Sequence, residues 1–340
     1  MSVHGERLDH FMARANAAYY AGRDPFADFI TSPEISQVFG ELLGAWVAVV
    51  WEQLGRPDPF MLVEAGPGRG TLMADAQRLL RRVAPACHQA MSVHLIETSP
   101  RLRAVQAHAL RDATAAPACW HDGLDGVPDG PMVLLANEFL DALPIRQFIR
   151  CGQGWAERFV RDGAFVQVPA RFPAHHPART RLVPEGGVLE TCQPALDFVH
   201  AVATRLLRCS GAAVLVDYGY DAPTAGDSLQ ALRDGKPTDP LRDPGTADLT
   251  AHVDFRAIAD HVPADVGVWG SVTQGSFLAA LGLAARTERL ARAAPAQARD
   301  IRAAAMRLAA PGHMGQLFRV MGLSSGLAGD LPGFAGPRRA

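Results

Sequence analysis

The chain has 340 residues, of which 48% are hydrophobic and 20% charged, and its net charge is −2. This composition is typical of a globular protein with one large or two moderate domains. The near-neutral charge predicts no attraction to nucleic acid or to anionic lipid. Five dispersed cysteines argue against a disulfide framework and against a bound metal. We therefore expect a reducing, cytoplasmic location, with no secretory signal and no membrane span.

The first part of the chain predicts two helices. Apolar residues recur at helical spacing over residues 4–21, and a second helix is predicted from about Pro33 to Leu54. The second helix is apolar nearly all round, so we expect it to be deeply packed. We interpret residues 1–56 as an N-terminal helical segment that packs on the core.

Apolar runs without polar alternation then predict buried strands, and helical segments separate them. The strands are expected at residues 61–65, 92–97, 119–122, 132–136 and 212–216, and the helices near 72–83, 99–110 and 193–209. The chain closes with strands at 266–271 and 315–321 and helices at 274–281 and 284–308. The pattern predicts an α/β doubly wound fold, in which ligands bind at the carboxyl ends of parallel strands.

Two segments exceed this minimal fold. Residues 144–185 contain runs that alternate like paired antiparallel strands, and residues 221–262 contain a long polar loop. We interpret both as insertions that build a smaller lobe on a core of residues 57–323. The Gly/Pro/Ala-rich residues 324–340 are expected to form a flexible tail.

The first buried run ends in a glycine turn. Glu64 is followed by Gly66, Gly68 and Gly70 at alternate positions. Glycine permits positive φ and lets a ligand approach the backbone. The spacing differs from that of a dinucleotide-binding turn, and Glu64 would repel a pyrophosphate but suit a cation such as S-adenosylmethionine. A strand–helix turn without any ligand remains the alternative interpretation.

Polar residues also follow the other strands. Glu97 can accept both hydrogen bonds of a ribose diol, and Asp122 can meet an adenine amino group, although either can be an ordinary strand-end acid. Asn137, Glu138 and Asp141 crowd the end of the fourth strand. Carboxylates there can orient a guanidinium group by bidentate pairing, and helix capping is the alternative.

Four stretches in order resemble the MidA-like class I S-adenosylmethionine-dependent methyltransferases, which are related to a mitochondrial arginine methyltransferase needed for complex I assembly. These stretches are residues 28–41, 64–73, 137–144 and 245–255. The resemblance implies a Rossmann-like seven-stranded sheet with helices on both faces, the last strand antiparallel, and an added smaller lobe. In one departure, residues 23–29 are shorter than the usual family stretch, in a loop expected near the substrate.

The resemblance also implies roles for individual residues. The methionine end of the cofactor would be held by Glu64, Gly66, Gly68 and Gly70, the ribose by Glu97 and the adenine by Asp122, with Asn137 and Glu138 closing the site. Glu138 and Asp141 are our candidates for orienting the guanidinium group. The implied reaction is arginine methylation of a protein, expected to be a quinone-side subunit of complex I.

Other functions stay open at this stage. A methyltransferase-like assembly chaperone with weak catalysis, which binds the cofactor and a partner protein, is the main alternative. An NAD-dependent oxidoreductase is disfavoured by the glycine spacing and by Glu64. The sequence leaves homodimer formation open.

Overall fold

The computed structural model describes residues 5–22, 30–111, 113, 117–222 and 226–339. Residues 23–29, where the sequence predicts a shortened loop, lie outside the described residues. The helices are, in chain order, α1 (Leu8–Gly22), α2 (Ser32–Ile35), α3 (Gln37–Gln53), α4 (Thr71–Val83), α5 (Pro85–Ala90), α6 (Pro100–Leu110), α7 (Gln193–Cys209), α8 (Phe255–His261), α9 (Gln274–Ala280), α10 (Leu283–Ala293), α11 (Ala298–Ala309) and α12 (Met314–Leu317).

The strands are named in the same way. They are β1 (Glu6–Arg7), β2 (Phe60–Ala65), β3 (Met91–Ile96), β4 (Cys119–His121), β5 (Met132–Asn137), β6 (Arg146–Cys151), β7 (Gly154–Arg161), β8 (Ala164–Ala170), β9 (Val188–Thr191), β10 (Gly211–Tyr220), β11 (Gln230–Arg233), β12 (Lys236–Thr238), β13 (Asp248–Thr250), β14 (Val253–Asp254), β15 (Gly267–Thr273), β16 (Phe318–Ser325) and β17 (Pro337–Arg339).

Contacts divide the chain into two compact units. The smaller unit takes residues up to 30, 140–199 and 219–261, and the larger unit takes 31–139, 200–218 and the residues from 262 onward. The two predicted insertions, 144–185 and 221–262, therefore lie in the smaller unit to within one residue. The predicted N-terminal segment 1–56 does not stay together, because α1 belongs to the smaller unit and α3 to the larger.

The larger unit is built on one sheet with the strand order β17-β15-β16-β10-β5-β2-β3-β4. Strands β10, β5, β2, β3 and β4 run parallel, whereas β16 is antiparallel to both of its neighbours. Every residue of β2 and of β5 is buried, which explains why their sequences are apolar without alternation. The seven-stranded sheet with one reversed strand is confirmed, and β17 adds an edge strand that we did not predict.

Helix α3 packs closely on α4, the helix that follows the glycine turn. A Cβ added at Gly40 would lie 2.7 Å from the Cβ of Asp75, and one at Gly44 would lie 2.8 Å from the Cα of Ala76. The helix predicted from residue 33 to 54 is broken at Ser36, whose hydroxyl accepts a hydrogen bond from the Val38 amide at 3.3 Å. The two glycines therefore let α3 support the start of α4 at close range.

The C-terminal residues are packed, contrary to the flexible tail that we expected over 324–340. Leu331 is buried, and the indole nitrogen of Trp46 donates to the carbonyl of Pro332 at 3.1 Å. Strand β17 pairs with β15. Composition alone failed here because a few apolar side chains and backbone carbonyls, at defined places, are enough to fix a segment rich in glycine and proline.

The smaller unit has its own core and an antiparallel sheet. Its strand order is β1-β7-β6-β9, and β8 also pairs with β7. Leu8, Phe11 and Met12 of α1 pack into this core. The side-chain amide of Asn16 donates to the Leu249 carbonyl at 2.8 Å and its oxygen accepts from the Leu249 amide at 3.0 Å, which ties α1 to β13. Among the described residues, no helix is both long and apolar enough to cross a membrane.

Candidate active site

The glycine turn of the larger unit connects β2 to α4. Gly66, Gly68 and Gly70 have φ angles of +64°, +55° and +82°, in the left-handed region that side chains rarely adopt. A Cβ at Gly66 would also lie 2.8 Å from Cδ2 of Phe139. The turn is therefore a cradle of bare backbone, and a larger residue at its first position would be both strained and obstructed.

Glu64 is the penultimate residue of β2, the buried strand that leads into this turn, and it is only 3% exposed. Its carboxylate accepts a hydrogen bond from the backbone amide of Met73, and burial raises the pKa of Glu64 to about 8. The oxygen Oε2 has no hydrogen-bond partner in the part of the chain that the structure describes. Because a buried carboxylate oxygen without a donor is costly, this position favours a ligand that brings donors or positive charge.

Glu97 follows β3 and is held beside the turn. It accepts hydrogen bonds from the Ser99 amide at 2.8 Å and from the side-chain nitrogen of Gln106 at 3.2 Å. Burial raises the pKa of Glu97. The same Gln106 nitrogen donates to the carbonyl of Gly68 at 2.8 Å, while Trp120 donates to the Gln106 oxygen at 2.8 Å. Gln106 thus links the predicted ribose acid to the glycine turn, a role that no local motif could reveal.

Asp122 follows β4 and lies in a more open environment. Its side chain is 86% exposed, and it pairs with Arg103 at 2.6 Å. Arg103 also donates to the backbone carbonyl of Glu97 at 2.7 Å. The contact of Asp122 with an adenine ring stays a prediction.

Asn137 and Glu138 stand at the end of β5, next to the start of the glycine turn. The register pairs Ala65 of β2 with Ala136 of β5, so Asn137 follows the last pair of this ladder. The Asn137 amide nitrogen donates to Oε1 of Glu138 at 3.0 Å, and its Oδ1 has no partner within the described residues. The ends of β2 and β5 thus present two buried acceptor oxygens, those of Glu64 and Asn137, that accept no hydrogen bond from a described residue.

Glu138 adopts an unusual backbone conformation, with φ at +51°. Its Oε1 also accepts the backbone amide of Ser32 at 2.9 Å, a contact that sequence reasoning missed because Ser32 lies far away in the chain. Left-handed backbone at a residue other than glycine is often found at functional sites. Asp141 belongs to the smaller unit and is 6% exposed. Its role in orienting the guanidinium group stays a prediction.

These features fit an adenosyl sulfonium compound. The bare backbone admits a ligand at close range, and the acceptors of Glu64 and Asn137 suit its positive charge and its N–H donors. The contact of Glu97 with a ribose diol stays a prediction. The sheet and the site together define a class I methyltransferase.

Comparison with known proteins assigns the family. Residues 42–270 match the family described as "Putative S-adenosyl-L-methionine-dependent methyltransferase", and the chain belongs to this family. The Homo sapiens protein named Protein arginine methyltransferase NDUFAF7, mitochondrial, is 36% identical over 84% of this chain and 71% of its own. The Drosophila melanogaster homologue of that name is 35% identical over 95% and 81% of the two chains. A Burkholderia thailandensis crystal structure with S-adenosyl-homocysteine bound is 29% identical, with a TM-score of 0.82, and covers 98% of this chain and 91% of that chain.

These findings confirm the resemblance, the fold class, the enzyme class and the methyl-donor cofactor. The expected cytoplasmic location is wrong by the same comparison, because the human and fly relatives are named mitochondrial. Dispersed cysteines favour a reducing compartment, but they do not distinguish one reducing compartment from another.

Proposed function

We propose that this methyltransferase transfers the methyl group of S-adenosylmethionine to a guanidinium nitrogen of arginine in a protein substrate. The observation that carries the proposal is the set of acceptors at the ends of β2 and β5. Glu64 and Asn137 lie at adjacent strand ends, and each has a buried oxygen that accepts no hydrogen bond from a described residue. The carboxylate of Glu138 accepts a hydrogen bond from Asn137. Such a site favours cations, and the human and fly relatives are named protein arginine methyltransferases.

Some residues of the site bind the cofactor, and others orient the substrate. When bound, the cofactor supplies an electrophilic methyl group on its sulfonium sulfur. Glu64, the glycine turn and Glu97 hold the cofactor, and Glu138 orients the guanidinium group through charge-assisted hydrogen bonds. The donors from Ser32 and Asn137 fix Oε1 of Glu138, so the carboxylate is positioned before the substrate binds. The gain in rate comes mainly from proximity and alignment.

The protein substrate that we propose is a quinone-side subunit of respiratory complex I. The proposal is supported by the resemblance of the four motifs to methyltransferases of complex I assembly. Mass spectrometry of this subunit, purified from cells with and without the gene, is expected to show arginine methylation only where the gene is present.

A direct test uses the purified chain. Incubation with methyl-labelled S-adenosylmethionine and arginine-containing peptides of the subunit is expected to label arginine, and calorimetry is expected to detect S-adenosylmethionine binding and no binding of NAD. Cofactor and subunit binding without any methyl transfer would instead support the assembly chaperone. Binding of NAD without binding of S-adenosylmethionine would overturn the proposed methyltransferase function.

A further inference from the structure

Two carboxylates from distant parts of the chain converge on the first turn of α4. Glu64 reaches it from the end of β2 and accepts the backbone amide of Met73. Glu34, in α2, accepts the hydroxyl of Thr71 at 2.5 Å. Thr71 and Met73 are the first and third residues of α4, directly after the glycine turn. Both carboxylates therefore lie at the point where the glycine turn leads into α4.

Within the described residues, this pair of carboxylates lacks the cation that neighbouring acids have. On the adjoining surfaces Asp75 pairs with Arg78, and Glu41 pairs with Arg286. In the described parts of the chain, no ion pair includes Glu34 or Glu64. The Oε2 atom of Glu64 is moreover buried and accepts no hydrogen bond from any described residue, so it can accept one from a ligand.

Resting on the proposed function, we propose that Glu34, together with Glu64, binds the α-ammonium group at the methionine end of the methyl donor. An ammonium group carries one positive charge and three N–H donors, which suit two carboxylates that form no ion pair with a described residue. Because Glu34 is half-buried, its pairing with an ammonium group is less screened than a pair at the surface. Glu34 thereby becomes a cofactor-binding residue contributed from outside the glycine motif.

A simpler role has to be separated from this one. A carboxylate near a helix N-terminus stabilises the helix by itself, and Gly70 offers α4 no side-chain cap. Glu34→Gln keeps an oxygen that can accept the Thr71 hydroxyl but loses the negative charge, which serves both roles. The two roles are therefore distinguished by comparing a ligand that carries the ammonium group with one that lacks it. Glu52→Gln is the matched control, since Glu52 lies on α3 with its side chain 57% exposed.

The experiment is calorimetry on the full chain with two ligands. S-adenosylhomocysteine carries the ammonium group, whereas 5′-methylthioadenosine has the same adenosyl thioether without the amino acid end. We expect Glu34→Gln to weaken S-adenosylhomocysteine binding about tenfold and to leave methylthioadenosine binding unchanged. Glu52→Gln is expected to change neither.

Each other outcome contradicts the inference. Equal weakening of both ligands would assign Glu34 to capping α4, and unchanged binding of both would remove it from the site; either result leaves the proposed function intact. If the unaltered chain failed to bind S-adenosylhomocysteine at all, the proposed function would fall and this inference with it. Thermal unfolding of both variants shows whether a loss of binding reflects a loss of folded protein.

Discussion

The side-chain amide of Asn137 and the carboxylate of Glu138 are joined by a hydrogen bond of 3.0 Å, although the two residues are successive at a strand end. Successive side chains of a strand point to opposite faces. Here the left-handed backbone of Glu138, with φ at +51°, departs from strand geometry and allows the two side chains to meet. The Ser32 amide donates to the same oxygen at 2.9 Å, so the carboxylate is oriented from two sides.

This arrangement predicts the effect of Glu138→Gln. The amide keeps the shape of the side chain but loses the charge that pairs with a guanidinium group. We expect the methyl transfer rate to fall about 100-fold while S-adenosylhomocysteine affinity is unchanged, as for a group that acts mainly on the substrate. Label transfer and calorimetry measure the two quantities. Full methyl transfer by the variant would exclude Glu138 from substrate orientation.

The glycine turn predicts unequal effects of two alanine substitutions. At Gly66, alanine would meet both a φ of +64° and the ring of Phe139 at 2.8 Å. We expect a loss of roughly 3 kcal/mol from strain and overpacking together, and loss of S-adenosylhomocysteine binding. Gly55 has a φ of +84° with nothing within 4 Å, so Gly55→Ala is expected to cost only about 1 kcal/mol. Urea unfolding measures the loss of unfolding free energy in the two variants. Equal losses for Gly66→Ala and Gly55→Ala would show that Phe139 does not obstruct a side chain at position 66.

The sequence predicted the parts of this fold that local patterns encode. Strands β2 and β5 could be recognised because burial on both faces makes them continuously apolar. The glycine turn could be recognised because three glycines follow Glu64 at alternate positions. Contacts between distant polar groups carry no such pattern. The placement of Gln106 against Gly68 depends on how α6 crosses the turn, and the Ser32 contact with Glu138 depends on the path of the chain before α3.

Burial of Glu64 predicts a dependence of stability on pH. Its pKa is raised from 4.5 to about 8, so between these values the folded chain holds a proton that the unfolded chain has lost. The folded state then binds more protons, and its stability must fall as the pH rises through this window. Glu64→Gln is expected to remove this loss of stability, which amounts to roughly 5 kcal/mol at the alkaline end of the window. Urea unfolding of both proteins from pH 4.5 to 8 measures it. Parallel stability curves for the two proteins would show that Glu64 is already ionised in the fold.

The ion pair between Glu41 and Arg286 predicts how firmly α3 is anchored. Two guanidinium nitrogens of Arg286, Nε and Nη2, each donate to one carboxylate oxygen of Glu41 at 2.7 Å, and the Glu41 side chain is only 5% exposed. Arg286→Ala leaves this carboxylate with only the Gln37 amide, at 3.3 Å, as a side-chain donor within the described residues. Because a buried charge without its partner is expensive, we expect the free energy of unfolding to fall by about 3 kcal/mol.

The pair between Arg302 and Glu288 is a matched control for this prediction. It has the same two-bond geometry, at 2.7 and 2.8 Å, but its side chains are 52% and 48% exposed. Water solvates the carboxylate that Arg302→Ala leaves behind, so we expect a much smaller loss of unfolding free energy than for Arg286→Ala. Urea unfolding of both variants, completed to a double-mutant cycle with Glu41→Gln, separates the pairing energy from the cost of the stranded charge. Equal losses at the two sites would mean that the Glu41 carboxylate is solvated as readily as Glu288, and that burial does not govern the strength of this anchor.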